Sequence, residues 1–298
     1  MIHLNNFISK AFDRKEHVLA IFCDLRKAFD TVNHKILLKK LFRYGVRGQE
    51  LNWFSSYLSN RNQFVSINGV CSSNKIISIG VPQGSILGPL LFILYINDLP
   101  ECSKLFTLLF ADDPTLLESG PDPAELFNKV NNEFKKITTY FRKNLLSLHP
   151  LKTKYIFFSS NRNAQTFNGT ILINDNNPND LQNPSKICQI KRVSGDQDDL
   201  AVRFLGLYVD PYLNFNYHTK LISKKISSAL YFMRSAKNFI NPKALTALYY
   251  SLIHSHLIYA IHIWSTYSQK MLNSSKTSHK NYTQSCLQST YRTIFQKK

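Results

Sequence analysis

The chain has 298 residues, 44% of them hydrophobic. That is enough apolar material to bury a core in one large domain or two smaller ones, and it excludes a chain disordered by composition. Its 37 Lys+Arg against 19 Asp+Glu give a formal net charge of +18, which favours a polyanionic partner because each phosphate neutralised releases counterions.

The charge is concentrated at one end. Residues 201–298 hold 13 basic side chains and one acid, Asp210, among many aromatics. Basic and aromatic residues together suit phosphates and bases; a solvated basic surface and a tail for anionic lipid are the alternatives. The longest apolar run, Ile86–Ile96, is interrupted by Gly88 and Pro89 and is too short to span a bilayer. The start, Met-Ile-His-Leu-Asn-Asn, has no secretory pattern. We therefore expect no membrane partner and an intracellular location, nuclear or cytoplasmic. Cys23, Cys71, Cys102, Cys188 and Cys286 have no metal-type spacing and read as reduced thiols.

Residues 1–16 read as the end of a helix with Leu4, Phe7, Ile8 and Phe12 on one face. Val18–Cys23 is a short apolar strand ending at Asp24. A helix follows through Ile36, Leu37, Lys40 and Leu41, closed by Gly45 and Gly48, and a second short helix covers Leu51–Leu58. Gln63–Asn68 and Lys75–Ile79 alternate and flank Asn68-Gly69, so they predict a hairpin. Gly80-Val81-Pro82-Gln83-Gly84-Ser85 is a glycine-rich loop leading into an apolar helix that Ser85 can cap.

Leu105–Leu117 places two apolar runs around Asp112-Asp113, the pattern of a hairpin with two carboxylates at its turn. A helix from Pro123 to Leu145, a strand at Lys154–Ser159, a polar stretch at 161–200 and a strand at Arg203–Asp210 come next. The polar stretch reads as a flexible insertion or domain edge. Helices are expected over His218–Asn238 and Pro242–Trp264, the latter with Leu245, Leu248, Tyr249, Leu252 and Ile253 on one face, followed by a polar, mobile tail.

Adjacent carboxylates repel, so Asp112 and Asp113 call for a cation or a basic neighbour. With Asp24 at a strand end, three carboxylates can hold two divalent ions ~3.5–4 Å apart, the arrangement that assists in-line displacement at phosphorus. Oxygen ligands select Mg²⁺, with Mn²⁺ able to substitute. An isolated Asp-Asp turn would by itself read as structural or solvent-exposed.

Three segments in order change that reading: Ala20–His34, containing Cys23-Asp24-Leu25 and Ala28-Phe29-Asp30; Gly80–Pro89; and Phe110-Ala111-Asp112-Asp113. They resemble the palm motifs of reverse transcriptases, with the non-LTR, LINE-type retrotransposon group as the nearest pattern. Lys152-Thr153-Lys154 and Phe204-Leu205-Gly206, with Leu213 and His218 downstream, extend the resemblance over residues 10–265.

The resemblance implies an α+β fold: an antiparallel palm sheet backed by helices, then a helical thumb, with the fingers largely absent. It divides the chain into a palm (1–160), a variable insertion (161–200), a primer-grip hairpin (201–215), a thumb-like region (216–266) and a basic tail (267–298). It implies an RNA template, a DNA primer and deoxynucleoside triphosphates as partners. Asp24, Asp112 and Asp113 take the places of the metal ligands, Asp112 as the direct ligand of the pair, and Phe29 that of the steric gate against a 2′-hydroxyl. Gln83 and Gly84 line the nucleotide pocket, with glycine admitting close backbone approach. Lys152, with Lys154 as the alternative, takes the place of the acid that protonates departing pyrophosphate. Phe204, Leu205 and Gly206 form the primer grip. Asp30 and His34 are read as structural.

The sequence departs from the family in three places. Pro114 follows the acidic pair and removes a backbone donor from the returning strand. His149-Pro150 replaces the usual Asn-containing turn before Lys152. Only some sixteen residues precede the Asp24 strand, so fingers and endonuclease regions of a parent element protein are expected elsewhere. The expectation is a truncated polymerase domain of weak or no activity. The alternatives are a catalytically dead nucleic-acid-binding remnant and a metal-dependent phosphodiesterase, which leaves the Pro82-Gln83-Gly84 loop and Phe29 without a purpose.

Overall fold

The computed structural model of the chain describes residues 1–161, 166–175, 186–195 and 199–264. Its elements in order are α1 (Ile2–Asp13), β1 (His17–Phe22), α2 (His34–Arg43), α3 (Gly48–Leu58), β2 (Arg61–Gln63), β3 (Ser66–Ile67), β4 (Val70–Cys71) and β5 (Lys75–Ile77). Next come α4 (Leu87–Ile96), β6 (Phe106–Leu108), β7 (Thr115–Gly120), α5 (Pro123–Lys143), β8 (Lys154–Phe158), β9 (Leu172–Asp175), β10 (Lys186–Gln189) and β11 (Lys191–Arg192). The chain continues through β12 (Val202–Phe204), β13 (Leu207–Val209), α6 (Asn216–Ala236), α7 (Pro242–Tyr249) and α8 (Ser255–Ile258). Two compact units are formed: Lys10–Arg192, and Met1–Ser9 together with Val193 onward.

In the Lys10–Arg192 unit five strands pair in the order β11-β8-β1-β7-β6. β1 is buried along its whole length, as its unbroken apolar run requires of a central strand. It pairs antiparallel with β7, Phe22 opposite Thr115, and with β8, Phe22 opposite Lys154. Alternate residues Leu19, Ile21, Leu116, Tyr155 and Phe157 enter one core with Phe92, Phe134 and Phe141 from the helices. α5 starts at Asp122, whose carboxylate accepts from the Ala124 and Glu125 N–H groups. It buries Leu126, Val130, Phe134, Ile137 and Phe141, a helical stripe against the sheet.

Lys40, on the apolar face of α2, is buried in this core, where it finds partners instead of solvent. Its Nζ donates to the Tyr95 carbonyl and to Asp98 Oδ1, both at 2.6 Å, and lies 3.1 Å from the Tyr140 hydroxyl, which itself donates to Asp98. Burial lowers the Lys40 pKa, and Asp98 opposes that shift.

Most expected elements are present with shifted edges, but the strand expected at Arg203–Asp210 is folded into two, β12 and β13, and the helix expected over Pro242–Trp264 is divided into α7, a π-turn and α8. Gly45 follows α2 with φ 95°, but Gly48 opens α3 instead of closing α2. The expected hairpin forms as β2–β5 with a smaller β3–β4 hairpin at its tip, where Asn68 and Gly69 both take positive φ, the primed-turn geometry. The described parts of 161–200 differ from the expected loop: β9 and β10 pair, β11 adds in parallel to β8, and Ile171, Ile173 and Ile190 enter the core. Three isoleucines scattered among Asn and Asp gave too little periodicity to register as strands.

In the second unit, β12 and β13 form a hairpin turning at Leu205-Gly206. The next turn is organised by Asp210, whose carboxylate accepts from the N–H groups of Tyr212, Asn214 and Phe215. Burial raises its pKa against the pull of those donors. α6 packs with α7, a π-turn at Tyr250–His254 and α8. The π-turn changes the expected stripe: Leu245, Tyr249, Ile253 and Leu257 are buried while Leu252 is exposed. His218 is buried beside Tyr208 and Trp264 with neither ring nitrogen hydrogen-bonded, and burial lowers its pKa. No helix among the described residues is long and apolar enough to cross a membrane. Cys23, Cys71, Cys102 and Cys188 are free thiols; Cys286 and the expected tail lie outside the described residues.

Candidate active site

Asp24 follows the end of β1, where the β1–β8 ladder is interrupted. Leu25 bridges Leu148, and between that bridge and Phe22–Lys154 the β8 side inserts the turn His149–Thr153. This turn clamps the Asp24 backbone from both sides. The His149 N–H donates to the Asp24 carbonyl at 2.8 Å, and the Asp24 N–H donates to Thr153 Oγ1 at 3.2 Å. Thr153 is fully buried, so its hydroxyl is a fixed acceptor. His149-Pro150 thus supports an ordered turn, closed by Lys152 and Thr153 N–H bonds to the His149 carbonyl. Lys152 is exposed on it, beside the residue that holds Asp24.

The second group of carboxylates sits on the β6–β7 hairpin. Its last ladder pair is Leu108–Thr115, and the turn closes with the Asp113 N–H donating to the Phe110 carbonyl, Ala111 standing at φ 49°. Asp112 is half-buried and Asp113 more accessible. The Asp113 pKa is raised, first by desolvation, then by the charge of Asp112 and then by that of Asp24. Asp24 and the hairpin acids lie at the same end of the paired strands β1 and β7.

Their chemistry suits a hard divalent cation, since all donors are carboxylate oxygens. A divalent charge there would offset both the desolvation and the neighbouring carboxylates that raise the Asp113 pKa. Among the described residues, however, no group of three or more His, Cys, Asp or Glu is close enough to hold a metal ion. A cation held by all three carboxylates would need the hairpin turn and Asp24 closer together than they stand.

Pro114 bears on that separation. The Cys23 N–H donates to the Pro114 carbonyl at 3.0 Å, extending the β1–β7 register by one residue. A residue paired in this way normally donates back to its partner. Pro114 has no N–H, so the return bond to the Cys23 carbonyl is missing, next to Asp24 on one strand and Asp113 on the other.

The glycine-rich loop docks onto the segment after Asp24. Gly80 N–H donates to the Val32 carbonyl and Val81 N–H to the Phe29 carbonyl, at 2.7 and 2.8 Å. A His34 ring nitrogen meets the Gly80 carbonyl at 2.7 Å, and Gln83 Nε2 donates to Asp30 Oδ1 at 2.8 Å. Phe29 lies in a short 3₁₀ turn, half-buried, with its ring 4.8 Å from that of the fully buried Phe92. Ser85 Oγ accepts from the Gly88 N–H at the start of α4. Gly84 is exposed at φ 77° with no protein atom near a would-be Cβ, so here the backbone conformation itself requires glycine, while open space surrounds it.

Gly80 is the tighter constraint. At φ 88°, a Cβ would stand 2.8 Å from the Asp30 carbonyl oxygen. Gly80→Ala is expected to undock the loop and to lower stability by about 1–3 kcal/mol, read as a fall in denaturant midpoint. Gly84→Ala is also strained by its φ, but it meets no atom and leaves the dock intact.

Phe204, Leu205 and Gly206 lie in the second unit as the β12–β13 turn. The Tyr259 hydroxyl donates to the Leu205 carbonyl at 2.6 Å, and a Cβ on Gly206 would meet the Tyr259 ring at 3.1 Å. Tyr259, Thr153 and the Asp30–Gln83 contact were not read from sequence as site elements. Thr153 and Asp30 lay inside quoted motifs, whereas Tyr259 carries no local signal, being 54 residues from its partner.

Comparison with known proteins identifies the family. The reverse transcriptase (RNA-dependent DNA polymerase) family matches residues 2–209. The chain is 27% identical over 287 residues to a probable RNA-directed DNA polymerase from transposon BS of Drosophila melanogaster, covering 91% of this chain and 29% of that protein. It is 24% identical over 265 residues to the corresponding protein of transposon X-element from the same organism, covering 86% and 27%. It thus spans under a third of these curated relatives. Among solved structures it is similar to telomerase from Candida albicans in complex with a telomeric RNA fragment, at TM-score 0.38 and 12% identity, covering 97% of this chain and 46% of that one. The chain belongs to the reverse transcriptase family, in its non-LTR, LINE-type retrotransposon branch.

Proposed function

We propose that this chain is the palm and thumb of an RNA-directed DNA polymerase that adds deoxynucleotides to a DNA primer on an RNA template. The observation that carries the reading is the β1–β7 register: Phe22 opposite Thr115 and the Cys23–Pro114 bond set Asp24 and the Asp112-Asp113 turn at the same end of two paired strands, where the family motifs fall. Two Mg²⁺ ions, when bound, would sharpen the primer 3′-hydroxyl and stabilise the charge developing on the triphosphate.

The chain's own residues have distinct roles. Asp24, Asp112 and Asp113 would hold the ions. Phe29, backed by Phe92, would exclude a ribose 2′-hydroxyl. Gln83, oriented by Asp30, and Gly84 would line the nucleotide pocket. Lys152 would protonate the leaving pyrophosphate, and Phe204, Leu205 and Gly206 would hold the primer end. Primer extension on an RNA template with Mg²⁺ and deoxynucleotides tests this. Extension that requires the template supports it; strand cleavage without added nucleotides would reassign the carboxylates to a phosphodiesterase.

Pro114 is expected to limit this activity. A misplacement of ~1 Å at the chemistry can cost on the order of a hundredfold in rate. Pro114→Thr supplies the missing donor to the Cys23 carbonyl and is expected to raise both extension rate and thermal stability, the latter by about 1 kcal/mol. Unchanged activity would clear the proline.

A further inference from the structure

A groove of about 420 Å³ lies on the helix side of the Lys10–Arg192 unit, lined by Cys102, Lys135, Lys136, Thr139, Tyr140 and Lys143. It falls in the size range of ligand sites. Three of its six lining residues are lysines and none is acidic. Lys135 and Lys143 are separated by two helical turns along α5, about 12 Å at 1.5 Å per residue. Neither makes an ion pair among the described residues, whereas Lys136 pairs with Glu133 at 2.7 Å.

Two acids packed near this face, Glu133 and Asp98, are already engaged. Glu133 also accepts from the Lys104 N–H, and Asp98 binds Lys40 and Tyr140. Thr139 donates its hydroxyl to the Lys135 carbonyl, and Tyr140 is buried, so no aromatic face is offered to a base. The groove presents a row of ammonium groups over an apolar floor, and none of the carboxylates of the active site lies in it.

We infer that this groove is a second nucleic-acid contact, which holds the sugar-phosphate backbone of a single strand without reading its sequence. Lysine ammonium groups act as point charges toward phosphate, and without stacking or base-edge donors the contact is electrostatic. It lies apart from the residues proposed for polymerisation and does not depend on that activity.

The test is binding of a single-stranded RNA oligonucleotide to the full chain over a range of salt, without Mg²⁺ or nucleotides. Lys135→Ala/Lys143→Ala is expected to weaken binding similarly for unrelated sequences and to flatten log K against log salt by about 1.4, at ~0.7 per phosphate contact. Lys135→Glu/Lys143→Glu is expected to weaken binding by tenfold or more at low salt. Both side chains are exposed, so the melting temperature should hold; Lys135→Gln/Lys143→Gln gives the same reading with the helix former retained. RNA should also protect both amines from acetylation. An unchanged slope and affinity would overturn the proposal. So would protection by a deoxynucleoside triphosphate alone, or equal protection by polyglutamate, which would assign the groove to a nucleotide or to an acidic protein.

Discussion

Asp112→Asn is expected to lower template-directed extension by about two to three orders of magnitude, the scale of removing one preorganised electrostatic contact to a developing charge. Asp24→Asn should do the same, and the double variant should fall little further, because groups that act as one unit lose their function together. Single-turnover extension at saturating primer-template separates this from a binding defect. The Asp24 backbone is clamped by His149 and Thr153, and the hairpin turn keeps its Asp113–Phe110 bond, so neither substitution removes a fold contact. Additive losses would mean that Asp24 and the hairpin acids serve separate steps.

The largest stability effect is expected away from the site. Asp98→Ala leaves Lys40 in the core without its carboxylate, and an orphaned buried charge costs about 3–5 kcal/mol. Asp98 is itself 31% accessible, which favours the lower end, about 3 kcal/mol and a fall of roughly 6–12 °C in melting temperature. Lys40→Met should cost less, since the remaining Asp98 can hydrate while methionine fills the apolar space. Thermal melts of the two variants check the asymmetry; equal losses would mean that the pair matters chiefly through the lysine's packing.

These two expectations show what could be read from sequence and what could not. The strands of the five-stranded sheet, the long α5 helix and the acidic hairpin follow from apolar periodicity and turn residues, and Asp24 and Asp112-Asp113 fall at a strand end and a turn as expected. Lys40 already stood in the apolar stripe of α2, but its partners lie 55 to 100 residues away and leave no local trace. The same holds for Thr153 under Asp24 and Tyr259 under Leu205. β9, β10 and β11 escaped notice because their few isoleucines are diluted by polar residues, and only pairing across the loop gives them a core to enter. Pro114 was legible as a missing donor, yet the partner it deprives, the Cys23 carbonyl, emerges only from the register.

Asp24, Asp112 and Asp113 are proposed to form a cation site. A carboxyl whose folded pKa is raised contributes stability below its unfolded value of about 3.9 and loses it as pH rises through the folded value. At pH 7 the ionised Asp113 therefore opposes folding, modestly because it is accessible to solvent. The decisive measurement is the melting temperature at pH 7 as Mg²⁺ is raised. The wild-type chain should gain about 2.7 kcal/mol at a hundred times the dissociation constant, roughly 5–11 °C. Asp112→Asn/Asp113→Asn should melt higher than wild type without Mg²⁺ and show no such gain. An equal response in both proteins, or none in the wild type, would contradict the site.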